Sequence, residues 1–469
     1  MRRTKIIATM GPATTSVKAL KELVLAGANV IRINCSHGSL EENQKKMDII
    51  NAVRKELNIP LAVMLDTRGP EIRVSNFENG KADLKKGSLF EFYKKDILGS
   101  EKGVSLNEPK ILDNLKVGSK ILACNGLITF KVQEILKDRV VCKIKNSGTI
   151  SNHKSLFLPN IEYNVPYLNE KDMQDIAWGI KNKVEYVAAS FVNHKEDILE
   201  LKDFIKSHKG NMEIIAKIES KIGFKNLDEI ISESDGIMVA RGDLGVEVPH
   251  EKLPELQKII IKKSQESGKI VITATEMLES MISSPRPTRA ETSDVANAVY
   301  DGTSAVMLSG ETAVGKYPTS AVSTMNKIAQ ETEKSINYKK RYLAKEFASS
   351  SITDVLSNAV VHISFMLKDI KATAVYTDTG HTAKMISRFK PICPIFAFTP
   401  NERTYNRLSL AWGIIPILCS PCKTADELIS TINKTLKDKK LAKTNDMILI
   451  GTGTRKPSGT DMIKIHFMK

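Results

Sequence analysis

Eight short apolar runs, most of them separated by helical patterns, constrain the fold of this chain more than any other feature. The runs have the length and β-branched content of strands. They lie at 4–9, 28–34, 61–66, 185–190, 213–219, 236–240, 269–275 and 305–309. Strands that alternate with helices form parallel sheets, and eight such β/α units close a (β/α)8 TIM barrel. The sequence therefore predicts an α/β protein built on that barrel.

Polar side chains stand at or just beyond the C-terminal ends of these runs. They are Thr9, Arg32, Asn34, Asp66, Ser190, Lys217, Glu219, Asp243, Thr275 and Ser309. At a single strand such residues would be interpreted as solvated caps, but here the same ending recurs from unit to unit. Because a TIM barrel builds its active site from the C-terminal ends of its strands, we expect these side chains to converge.

Two neighbouring runs indicate the chemistry of this site. Side chains two apart in a strand share a face, so Lys217 and Glu219 emerge together. Asp243 follows the next run where a helix can start, beside backbone N–H groups that can hold an anion. Two carboxylates, a lysine and an anion-binding turn indicate Mg²⁺ with a phosphorylated acid.

The β/α rhythm is interrupted once and is followed by a further unit. Short alternating runs separated by Gly and Asn fill most of the stretch from 72 to 163, where no long helix fits. After a helix at 321–333 and a charged segment at 334–348, interpreted as a linker, helices and strands resume. We expect a discontinuous barrel domain (1–70 and 164–337), an inserted β-barrel lid (71–163) and a C-terminal α/β domain with a parallel sheet (338–469).

The composition is that of an ordinary globular protein with a strongly basic balance. The formal charge is +15, but the lysines are scattered and aromatic residues make up only 6%. The sequence therefore has no nucleic-acid-binding signature, and its positive charge suits an electrostatic field that attracts anionic metabolites. No apolar stretch approaches the roughly 18 residues of a membrane span, and no signal peptide is evident. We therefore expect a soluble, cytoplasmic protein without membrane or nucleic-acid partners.

The six cysteines are scattered, which is typical of a reducing compartment. Cys419 and Cys422 form the one close pair. Such a pair can be half of a zinc site or a redox pair, but no second ligand cluster follows. Two buried thiols are the better interpretation from the sequence.

Eight motifs occur along the chain in a fixed order. They lie at 4–12, 32–38 (Arg-Ile-Asn-Cys-Ser-His-Gly), 66–73 (Asp-Thr-Arg-Gly-Pro-Glu-Ile-Arg), 216–219 (Ala-Lys-Ile-Glu), 240–245 (Ala-Arg-Gly-Asp-Leu-Gly), 274–281 (Ala-Thr-Glu-Met-Leu-Glu-Ser-Met), 285–291 (Pro-Arg-Pro-Thr-Arg-Ala-Glu) and 307–313 (Met-Leu-Ser-Gly-Glu-Thr-Ala). In this order and spacing the chain resembles the pyruvate kinase family over essentially its whole length. The resemblance implies phosphoryl transfer from phosphoenolpyruvate to ADP, giving pyruvate and ATP in the last step of glycolysis.

The resemblance also implies roles for individual residues at the substrate. Glu219 and Asp243 would hold Mg²⁺, with Mn²⁺ as an alternative. Gly242 and the Asp243 amide would receive the substrate carboxylate, and Arg32 would grip the phosphate. Lys217 would stabilise charge on the phosphoryl group in flight.

Two hydroxyl groups are assigned to the proton step by the same resemblance. Thr275, on the carboxylate side of the substrate, would belong to the route by which the enolate is protonated at carbon. Ser309 would extend that relay through water. Neither hydroxyl has a pKa suited to act as a lone acid at neutral pH.

Oxygen ligands for K⁺ and contacts to the nucleotide are implied as well. The K⁺ ligands carried over from the family are Asn34, Ser36, Asp66 and Thr67. Glu71 supports this set, since in the family an acid there accompanies K⁺ dependence. The nucleotide contacts are Asn34, His37, Arg73 and Lys154. For His37 alone, a structural hydrogen bond is the alternative.

Two loops of the C-terminal unit combine hydroxyl groups and glycines, at 377–382 and 452–460. Both phosphate binding and simple turn chemistry fit this composition. The first loop resembles the family's effector site, with Thr377, Thr379, Gly380 and Thr382 as contacts. The sequence leaves open whether the effector is a sugar bisphosphate, a sugar monophosphate, AMP or none. The resemblance further implies a homotetramer.

The chain departs from the family pattern in the lid. It carries Cys-Asn-Gly at 124–126 and Lys-Ser-Leu-Phe-Leu-Pro-Asn at 154–160, which bears on lid closure and nucleotide contacts. None of the departures removes Lys217, Glu219 or Asp243.

Residues that are present in the chain argue against two rival interpretations of its function. Another Mg²⁺-enolpyruvate barrel, such as an aldolase or phosphoenolpyruvate mutase, needs neither the inserted lid nor the K⁺ set. A catalytically inactive phosphometabolite sensor, from a different class, predicts loss of Lys217, Glu219 or Asp243, and all three remain.

Overall fold

The structure is a computed structural model, and it describes residues 2–36, 38–162, 166–344, 349, 351–453 and 461–469. The chain begins with three strands and two helices in alternation. These elements are β1 (Lys5–Thr9), α1 (Val17–Ala26), β2 (Val30–Asn34), α2 (Leu40–Leu57) and β3 (Ala62–Asp66). A capping box between Ser39 and Glu42 fixes the start of α2.

A β-rich insert follows β3, as predicted. Its strands are β4 (Ile72–Arg73), β5 (Lys81–Leu84), β6 (Leu89–Tyr93), β7 (Gly103–Ser105), β8 (Lys120–Ala123), β9 (Ile128–Ile135), β10 (Arg139–Ile144), β11 (Gly148–Ser151) and β12 (Ser155–Phe157). Seven of them form one sheet, and β5 pairs with β11 in a second. Three phenylalanines, Phe90, Phe92 and Phe130, pack edge-on or tilted in its core with ring centroids 5.2–5.3 Å apart. Among the described residues of this insert, the only helix is a single 3-10 segment, Pro109–Asn114.

The β/α alternation then resumes and completes the barrel. Its elements are α3 (Glu170–Lys181), β13 (Tyr186–Ala189), α4 (Lys195–Ser207), β14 (Glu213–Ile218), α5 (Lys221–Lys225), α6 (Leu227–Glu233), β15 (Gly236–Ala240), α7 (Arg241–Glu247), α8 (Leu253–Glu266), β16 (Ile270–Ala274), α9 (Arg289–Asp301), β17 (Ala305–Leu308), α10 (Gly310–Ala313) and α11 (Pro318–Ser335).

Eight parallel strands close the barrel in the order β1-β17-β16-β15-β14-β13-β3-β2. The closing pair places Lys5 opposite Ala305, and β2 places Asn34 opposite Asp66. Large side chains such as Met64 and Tyr186 fill the interior, while a second core lies between the strands and the surrounding helices. Because both faces of each strand are buried, the runs are almost continuously apolar. The predicted TIM barrel is confirmed.

The C-terminal unit is a five-stranded α/β sandwich. It comprises α12 (Tyr338–Leu343), α13 (Ile352–Met366), β18 (Ile370–Tyr376), α14 (His381–Ser387), β19 (Ile395–Thr399), α15 (Glu402–Arg407), β20 (Ile414–Leu418), α16 (Ala425–Asp438), β21 (Met447–Thr452) and β22 (Met462–Phe467). The strand order is β20-β19-β18-β21-β22.

This unit departs from the sequence prediction in several respects, and the helices α15 and α16 are among the elements that were not predicted. The strands β20 and β22 were not predicted, because Pro416 interrupts the first and Lys464 and His466 break the apolar pattern of the second. The sheet is not wholly parallel, since β22 runs antiparallel to β21 at one edge. The predicted linker at 334–348 begins with the end of α11 and contains α12, so its described part is largely helical.

The C-terminal unit packs against the N-terminal ends of the barrel strands. Lys384 of α14 reaches Glu213 at the start of β14, with Nζ 2.6 Å from Oε2. Lys5 of β1 donates to the carbonyl of Ile414 at 2.7 Å, and the Tyr186 hydroxyl donates to the carbonyl of Arg407 at 2.7 Å. This leaves free the opposite, C-terminal end of the barrel strands, where the insert joins the barrel after β3. No helix in the described part of the chain is long and apolar enough to cross a membrane.

Candidate active site

Lys217 lies at the centre of the polar cluster at the C-terminal end of the barrel. Its Nζ donates to Ser190 Oγ at 2.7 Å and lies 3.1 Å from Asp66 Oδ1 and 2.9 Å from Glu219 Oε1. The side chain is 11% exposed. Burial acts to lower the pKa of Lys217, but Asp66 and Glu219 outweigh it and raise the pKa above its usual value. The site therefore keeps a fixed, charged ammonium group on a rigid strand.

Arg32 and Asp66 form a second charged pair beside Lys217. Arg32 Nε lies 2.5 Å from Asp66 Oδ2, and its Nη1 donates to Thr9 Oγ1 at 3.1 Å. Burial acts to raise the pKa of Asp66, but Arg32 and Lys217 more than offset it, so the pKa lies below its usual value. The pair thus stays ionised, with the arginine held close to Lys217 through their shared carboxylate.

Glu219 and Asp243, from neighbouring strand ends, approach each other within hydrogen-bonding distance. The backbone N–H of Phe191 donates to Glu219 Oε2 at 2.6 Å. Burial and the Glu219 carboxylate raise the pKa of Asp243 to about 7. A buried and a half-buried carboxyl group this close together are a donor set that suits a divalent cation.

The number of carboxylates at this position matters for the choice of ion. No group of three or more His, Cys, Asp or Glu side chains able to hold a metal occurs in the described ranges. Mg²⁺ is commonly bound through one or two carboxylates, with water and substrate oxygens completing its shell. The pair therefore fits Mg²⁺ better than an ion that needs an all-protein cage.

Gly242 and Thr275 meet at the edge of this cluster. The Gly242 N–H donates to Thr275 Oγ1 at 2.8 Å, and that hydroxyl donates to the Ala274 carbonyl at 2.6 Å. A substrate group bound at the Gly242 amide would therefore replace the threonine hydroxyl. The structure brings these two predicted residues together, with Asp243 next in the chain.

Ser309 lies at a different strand end and caps a short helix. It precedes α10, and its N–H donates to Glu311 Oε2 at 2.7 Å. Within the described residues, no hydrogen bond joins Ser309 to Thr275. The two hydroxyls of the predicted proton relay are therefore not in direct contact.

The four predicted K⁺ ligands lie together at the ends of β2 and β3. Asn34 and Asp66 are opposite each other in the strand register; Thr67 directly follows Asp66, and Ser36 lies two residues after Asn34. Asn34 Oδ1 accepts from the Ser36 N–H at 3.1 Å, and the Thr67 carbonyl accepts from Ser190 Oγ at 2.7 Å. Clustered oxygen donors with one carboxylate are suited to a hard monovalent cation.

Arg73 and Lys154, both predicted nucleotide contacts, line one cavity of about 780 Å³ in the insert. Arg73 Nε donates to Glu71 Oε2 at 2.7 Å, so Glu71 is paired with a cation of the chain itself. Glu71 also contributes to the raised pKa of Asp243, which places it within electrostatic reach of the carboxylate pair. Asn34 lies at the strand end described above, and His37 lies outside the described residues.

Two protein-family models match this chain, one over the barrel and its insert and one over the C-terminal unit. A family model described as "Pyruvate kinase, barrel domain" matches residues 1–322, and one described as "Pyruvate kinase, alpha/beta domain" matches 354–466. The chain belongs to the pyruvate kinase family. It is therefore an enzyme, a phosphotransferase of a metal-dependent family, as the motifs predicted.

Individual members of the pyruvate kinase family match over the whole chain. The pyruvate kinase of Clostridium perfringens is 42% identical over 99% of this chain and 100% of its own length. That of Bacillus licheniformis is also 42% identical, but only 80% of its length is covered. A crystal structure of a pyruvate kinase from Cryptosporidium parvum superposes with a TM-score of 0.94 at 34% identity, covering 100% of this chain and 96% of that one.

Sequence reasoning assigned no role to Arg241, a residue that shapes the site. Arg241 is 6% exposed, and its Nη2 donates to the carbonyl oxygens of Thr275 at 2.6 Å and Glu276 at 3.0 Å. Thr275 and Glu276 have φ of 65° and 53°, a left-handed conformation that is most costly for the β-branched Thr275. Asp294 holds the arginine from behind at 2.7 Å. The sequence signal was a charged residue directly after an apolar strand.

Ser190 was predicted to converge on the site but was given no role. Its hydroxyl accepts from Lys217 and donates to the Thr67 carbonyl at 2.7 Å, so it joins the lysine to the predicted K⁺ cluster. A serine has no distinctive spacing, and this contact could be found only in three dimensions.

The predicted effector loop lies in the turn between β18 and α14. The Gly380 N–H donates to Thr377 Oγ1 at 2.9 Å, and Gly380 has φ of 87°. Thr379 Oγ1 accepts from the His381 N–H at 3.4 Å, and Thr382 is buried. Residues 454–460 of the second predicted loop lie outside the described residues.

Proposed function

We propose that this chain transfers the phosphoryl group of phosphoenolpyruvate to ADP, giving pyruvate and ATP, with Mg²⁺ and K⁺. The observation that carries the proposal is the contact of Lys217 with both Glu219 and Asp66, beside the Glu219–Asp243 pair. A fixed cation, an arginine and a divalent-ion site within one cluster suit a reaction whose transition state carries charge on phosphoryl oxygens. Family membership supports the same reaction.

The residues of the chain bind and orient the substrate in this proposal. Arg32 binds the phosphate, and the Gly242 and Asp243 amides at the start of α7 receive the carboxylate. Lys217 donates to the oxygens of the phosphoryl group as it moves towards ADP. Its anchoring by three partners means that little reorganisation accompanies the transfer.

Two kinds of metal ion belong to the proposal. Glu219 and Asp243 would hold Mg²⁺, or Mn²⁺ in its place, which supplies Lewis-acid neutralisation of the phosphoryl and enolate oxygens when bound. The oxygens of Asn34, Ser36, Asp66 and Thr67 would hold K⁺. Glu71, paired with Arg73, adds negative charge near Asp243.

The second product requires a proton at carbon. Transfer of the phosphoryl group leaves an enolate, which takes one proton to become pyruvate. Thr275 lies beside the Gly242 amide that receives the substrate carboxylate, which favours it as the last member of the proton route. Ser309 would take part through water, since it has no direct contact with Thr275.

The nucleotide would lie between the barrel end and the insert, held by Asn34, His37, Arg73 and Lys154. The cavity lined by Arg73 and Lys154 supports this arrangement. We place the domain boundaries at 70/71, 163/164 and 337/338, so that the insert acts as the lid of the site.

The remaining proposals rest on family membership. They are a cytoplasmic enzyme for the last step of glycolysis, a homotetramer, and a phosphorylated allosteric effector bound by Thr377, Thr379, Gly380 and Thr382. The hydrogen bond from the Gly380 N–H to Thr377 Oγ1 fits both a ligand-binding turn and a purely structural one.

A coupled assay of pyruvate formed from phosphoenolpyruvate and ADP tests the reaction. We expect activity that a chelator abolishes and K⁺ stimulates. Lys217→Met should lower kcat at least about 10²-fold, because it removes a preorganised charge. Lys206→Met, which alters an exposed lysine of α4, is the matched control and should be unaffected.

Each arm of this assay can contradict a separate assignment. Full activity of Lys217→Met would refute the role of the lysine, and indifference of the wild type to K⁺ would refute the K⁺ site. Absence of pyruvate under all conditions would refute the reaction.

A further inference from the structure

The chain leaves the barrel for the insert and returns to it through two segments that contact each other. The exit segment, residues 67–69, directly follows β3, and α3 begins after the chain has returned, with Asn169 as its capping residue. The Asp172 carboxylate joins the two segments. Its Oδ1 accepts from the Arg68 N–H and its Oδ2 from the Gly69 N–H, both at 2.9 Å. One carboxylate therefore binds two consecutive amides of the exit segment.

Asn169 binds the same segment and caps its own helix. Its Nδ2 donates to the Gly69 carbonyl at 3.2 Å and to Asp172 Oδ2 at 2.8 Å. Its Oδ1 accepts from the Asp172 N–H at 2.9 Å, which satisfies the start of α3. The capping of α3 therefore does not need the Asp172 carboxylate, although this side chain is only 1% exposed. We call Asn169 and Asp172 the clasp.

The exit segment is also bound to the end of β13. The Thr67 N–H donates to the Ala188 carbonyl at 3.0 Å, and Thr67 Oγ1 accepts from the Ser190 N–H at 3.2 Å. Gly69 has φ of 71°, and a Cβ built on it would lie 2.7 Å from the Ser190 carbonyl oxygen. Glycine permits both this conformation and this close approach. The end of β13 and the clasp together fix the exit segment.

Thr67 connects the exit segment to the polar cluster of the barrel. Its carbonyl accepts from Ser190 Oγ at 2.7 Å, and Lys217 Nζ donates to the same hydroxyl at 2.7 Å. Thr67 and its neighbour Asp66 also belong to the proposed K⁺ set. Movement of the exit segment would therefore displace oxygens of this set without removing any of them.

We propose that Asp172 is a positioning residue for the K⁺ site, because its hydrogen bonds to the exit segment fix the oxygens of Thr67. This inference rests on the proposed function, which places K⁺ at the four oxygen ligands described above. Loss of a residue that orients metal ligands typically lowers metal affinity 10- to 100-fold. Weakening the clasp should therefore lower the affinity for K⁺ while every ligand stays in the chain.

A purely structural role for Asp172 is the alternative. Loss of a buried acceptor leaves its donors unpaired and lowers stability, whatever the function of the segment. The two roles differ in how the loss depends on K⁺. A structural role lowers the midpoint of thermal unfolding equally with and without K⁺, whereas a positioning role also lowers the increment that K⁺ adds to this midpoint.

Thermal unfolding of the full-length protein in KCl and in tetramethylammonium chloride of equal ionic strength tests this inference. We expect K⁺ to raise the midpoint of the wild type. Asp172→Asn should need on the order of 10-fold more K⁺ for the same rise. Asparagine keeps the size of the side chain but replaces one acceptor oxygen by an NH₂ group, so at least one of the three donors loses its partner. The K⁺ concentration for half-maximal pyruvate formation should rise by the same factor.

Hydrogen exchange resolved at single amides measures directly whether the exit segment is released. The Arg68 and Gly69 amides should exchange slowly in the wild type and faster in Asp172→Asn, because their acceptor is weakened. Asp203→Asn is the matched control, since it removes an exposed carboxylate of α4. Its K⁺ dependence and its exchange at residues 68 and 69 should equal those of the wild type.

Asn169→Ser is a second, milder variant of the clasp. Serine keeps the cap of α3 but removes the amide that donates to the Gly69 carbonyl. The K⁺ requirement should rise by a smaller factor than in Asp172→Asn. If Asp172→Asn does not fold, Asn169→Ser decides the question, and an unchanged K⁺ requirement in it would then overturn the inference.

The experiment separates failure of this inference from failure of the proposed function. If K⁺ changes neither the midpoint nor the activity of the wild type, the proposed K⁺ site is refuted, and this inference with it. If K⁺ stabilises the wild type and Asp172→Asn at the same concentrations, only this inference is overturned, and the role of Asp172 is purely structural. Unchanged protection of the Arg68 and Gly69 amides in Asp172→Asn would also overturn it.

Discussion

At the residue scale, the site depends on side chains that hold other side chains. Asp66 accepts from both Arg32 and Lys217, so one carboxylate sets the position of two cations. Arg241 does the same for the backbone, because its guanidinium group binds two consecutive carbonyls of a left-handed turn. Neither residue needs to touch a substrate for its loss to displace the groups that do.

Replacing Arg241 by lysine should lower kcat/KM without unfolding the protein. Lysine keeps the charge but lacks the planar fork that reaches Thr275, Glu276 and Asp294 at once. A displacement of Thr275 by about 1 Å is enough to lower the rate by about 10²-fold. Steady-state kinetics and thermal unfolding of the same preparation measure both quantities.

Arg139→Lys is the control for this substitution, since Arg139 pairs with Asp138 on the insert. We expect near-wild-type kinetics for it. Wild-type kcat/KM in Arg241→Lys would mean that the turn at 275–276 keeps its conformation without the arginine.

At the scale of elements, β14 joins the two ends of the barrel. Its first residue, Glu213, lies 2.6 Å from Lys384 of α14 and 3.3 Å from Arg407 of α15, and Lys217 and Glu219 stand at its other end. The Glu213 side chain is only 13% exposed. The same strand therefore anchors the C-terminal unit and carries two residues of the proposed catalytic cluster.

Glu213→Gln should destabilise the protein by on the order of 3 kcal/mol, because it leaves two largely buried cations without their shared carboxylate. The free energy of unfolding from denaturant titration measures this loss. Glu331 forms a surface pair with Lys334, and the two side chains are 76% and 72% exposed. Glu331→Gln should therefore change the free energy of unfolding by less than about 1 kcal/mol. Equal effects of the two substitutions would contradict the role assigned to Glu213.

Lys5 of β1, which donates to the Ile414 carbonyl of the C-terminal unit, makes the stability of the protein depend on pH. Burial, with Arg2 nearby, lowers its pKa from 10.5 to about 7, although Glu333 acts in the opposite direction. Between these two pH values the unfolded chain carries a proton on Lys5 that the folded chain lacks, so this residue's contribution to stability improves as the pH rises. Below about 7 both states are protonated and the penalty is constant.

Lys5→Met should therefore be most favourable relative to the wild type at or below pH 7. This advantage should shrink as the pH approaches 10, and denaturant titrations at both ends of the range measure the difference. A difference that stays constant over the range would contradict a lowered pKa for Lys5.

At the scale of the whole molecule, the proposed catalytic end of the barrel is separate from the end that packs against the C-terminal unit. The C-terminal unit covers the N-terminal strand ends, and the insert leaves the barrel after β3 on the opposite side. Ligands at the catalytic end should therefore stabilise the barrel without competing with the contacts between the units.

Mn²⁺ added in excess should raise the midpoint of thermal unfolding of the wild type. A ligand at 100 times its Kd stabilises the folded state by about 2.7 kcal/mol. Asp243→Asn should lose most of this shift, because it removes one of the two carboxylates of the pair. Differential scanning calorimetry with and without the metal measures this shift in the midpoint of thermal unfolding.

Asp228→Asn is the control, since Asp228 pairs with Lys263 on the outer helices. Its metal-dependent shift should equal that of the wild type. A full shift in Asp243→Asn would place the divalent ion elsewhere.

How much the sequence could predict varied between the parts of the molecule. The barrel strands were predictable because each is buried on both faces, so their apolar runs stand out from the helices. The strands β20 and β22 were not, since a proline and charged edge positions weaken the pattern. The helical linker was missed because its charged residues hide a short helix that tertiary contacts stabilise.

The sequence by itself determined the family, the barrel and the identity of the polar residues at its strand ends, since local periodicity and motif order carry that information. Only the tertiary structure decided which of these residues touch. The Lys217–Asp66–Arg32 contacts and the hydrogen bonds of Arg241 to the Thr275 and Glu276 carbonyls both depend on side-chain packing. Distances of a few ångströms between residues far apart in the chain, or across a turn, are set by the closed barrel and the packed sheet.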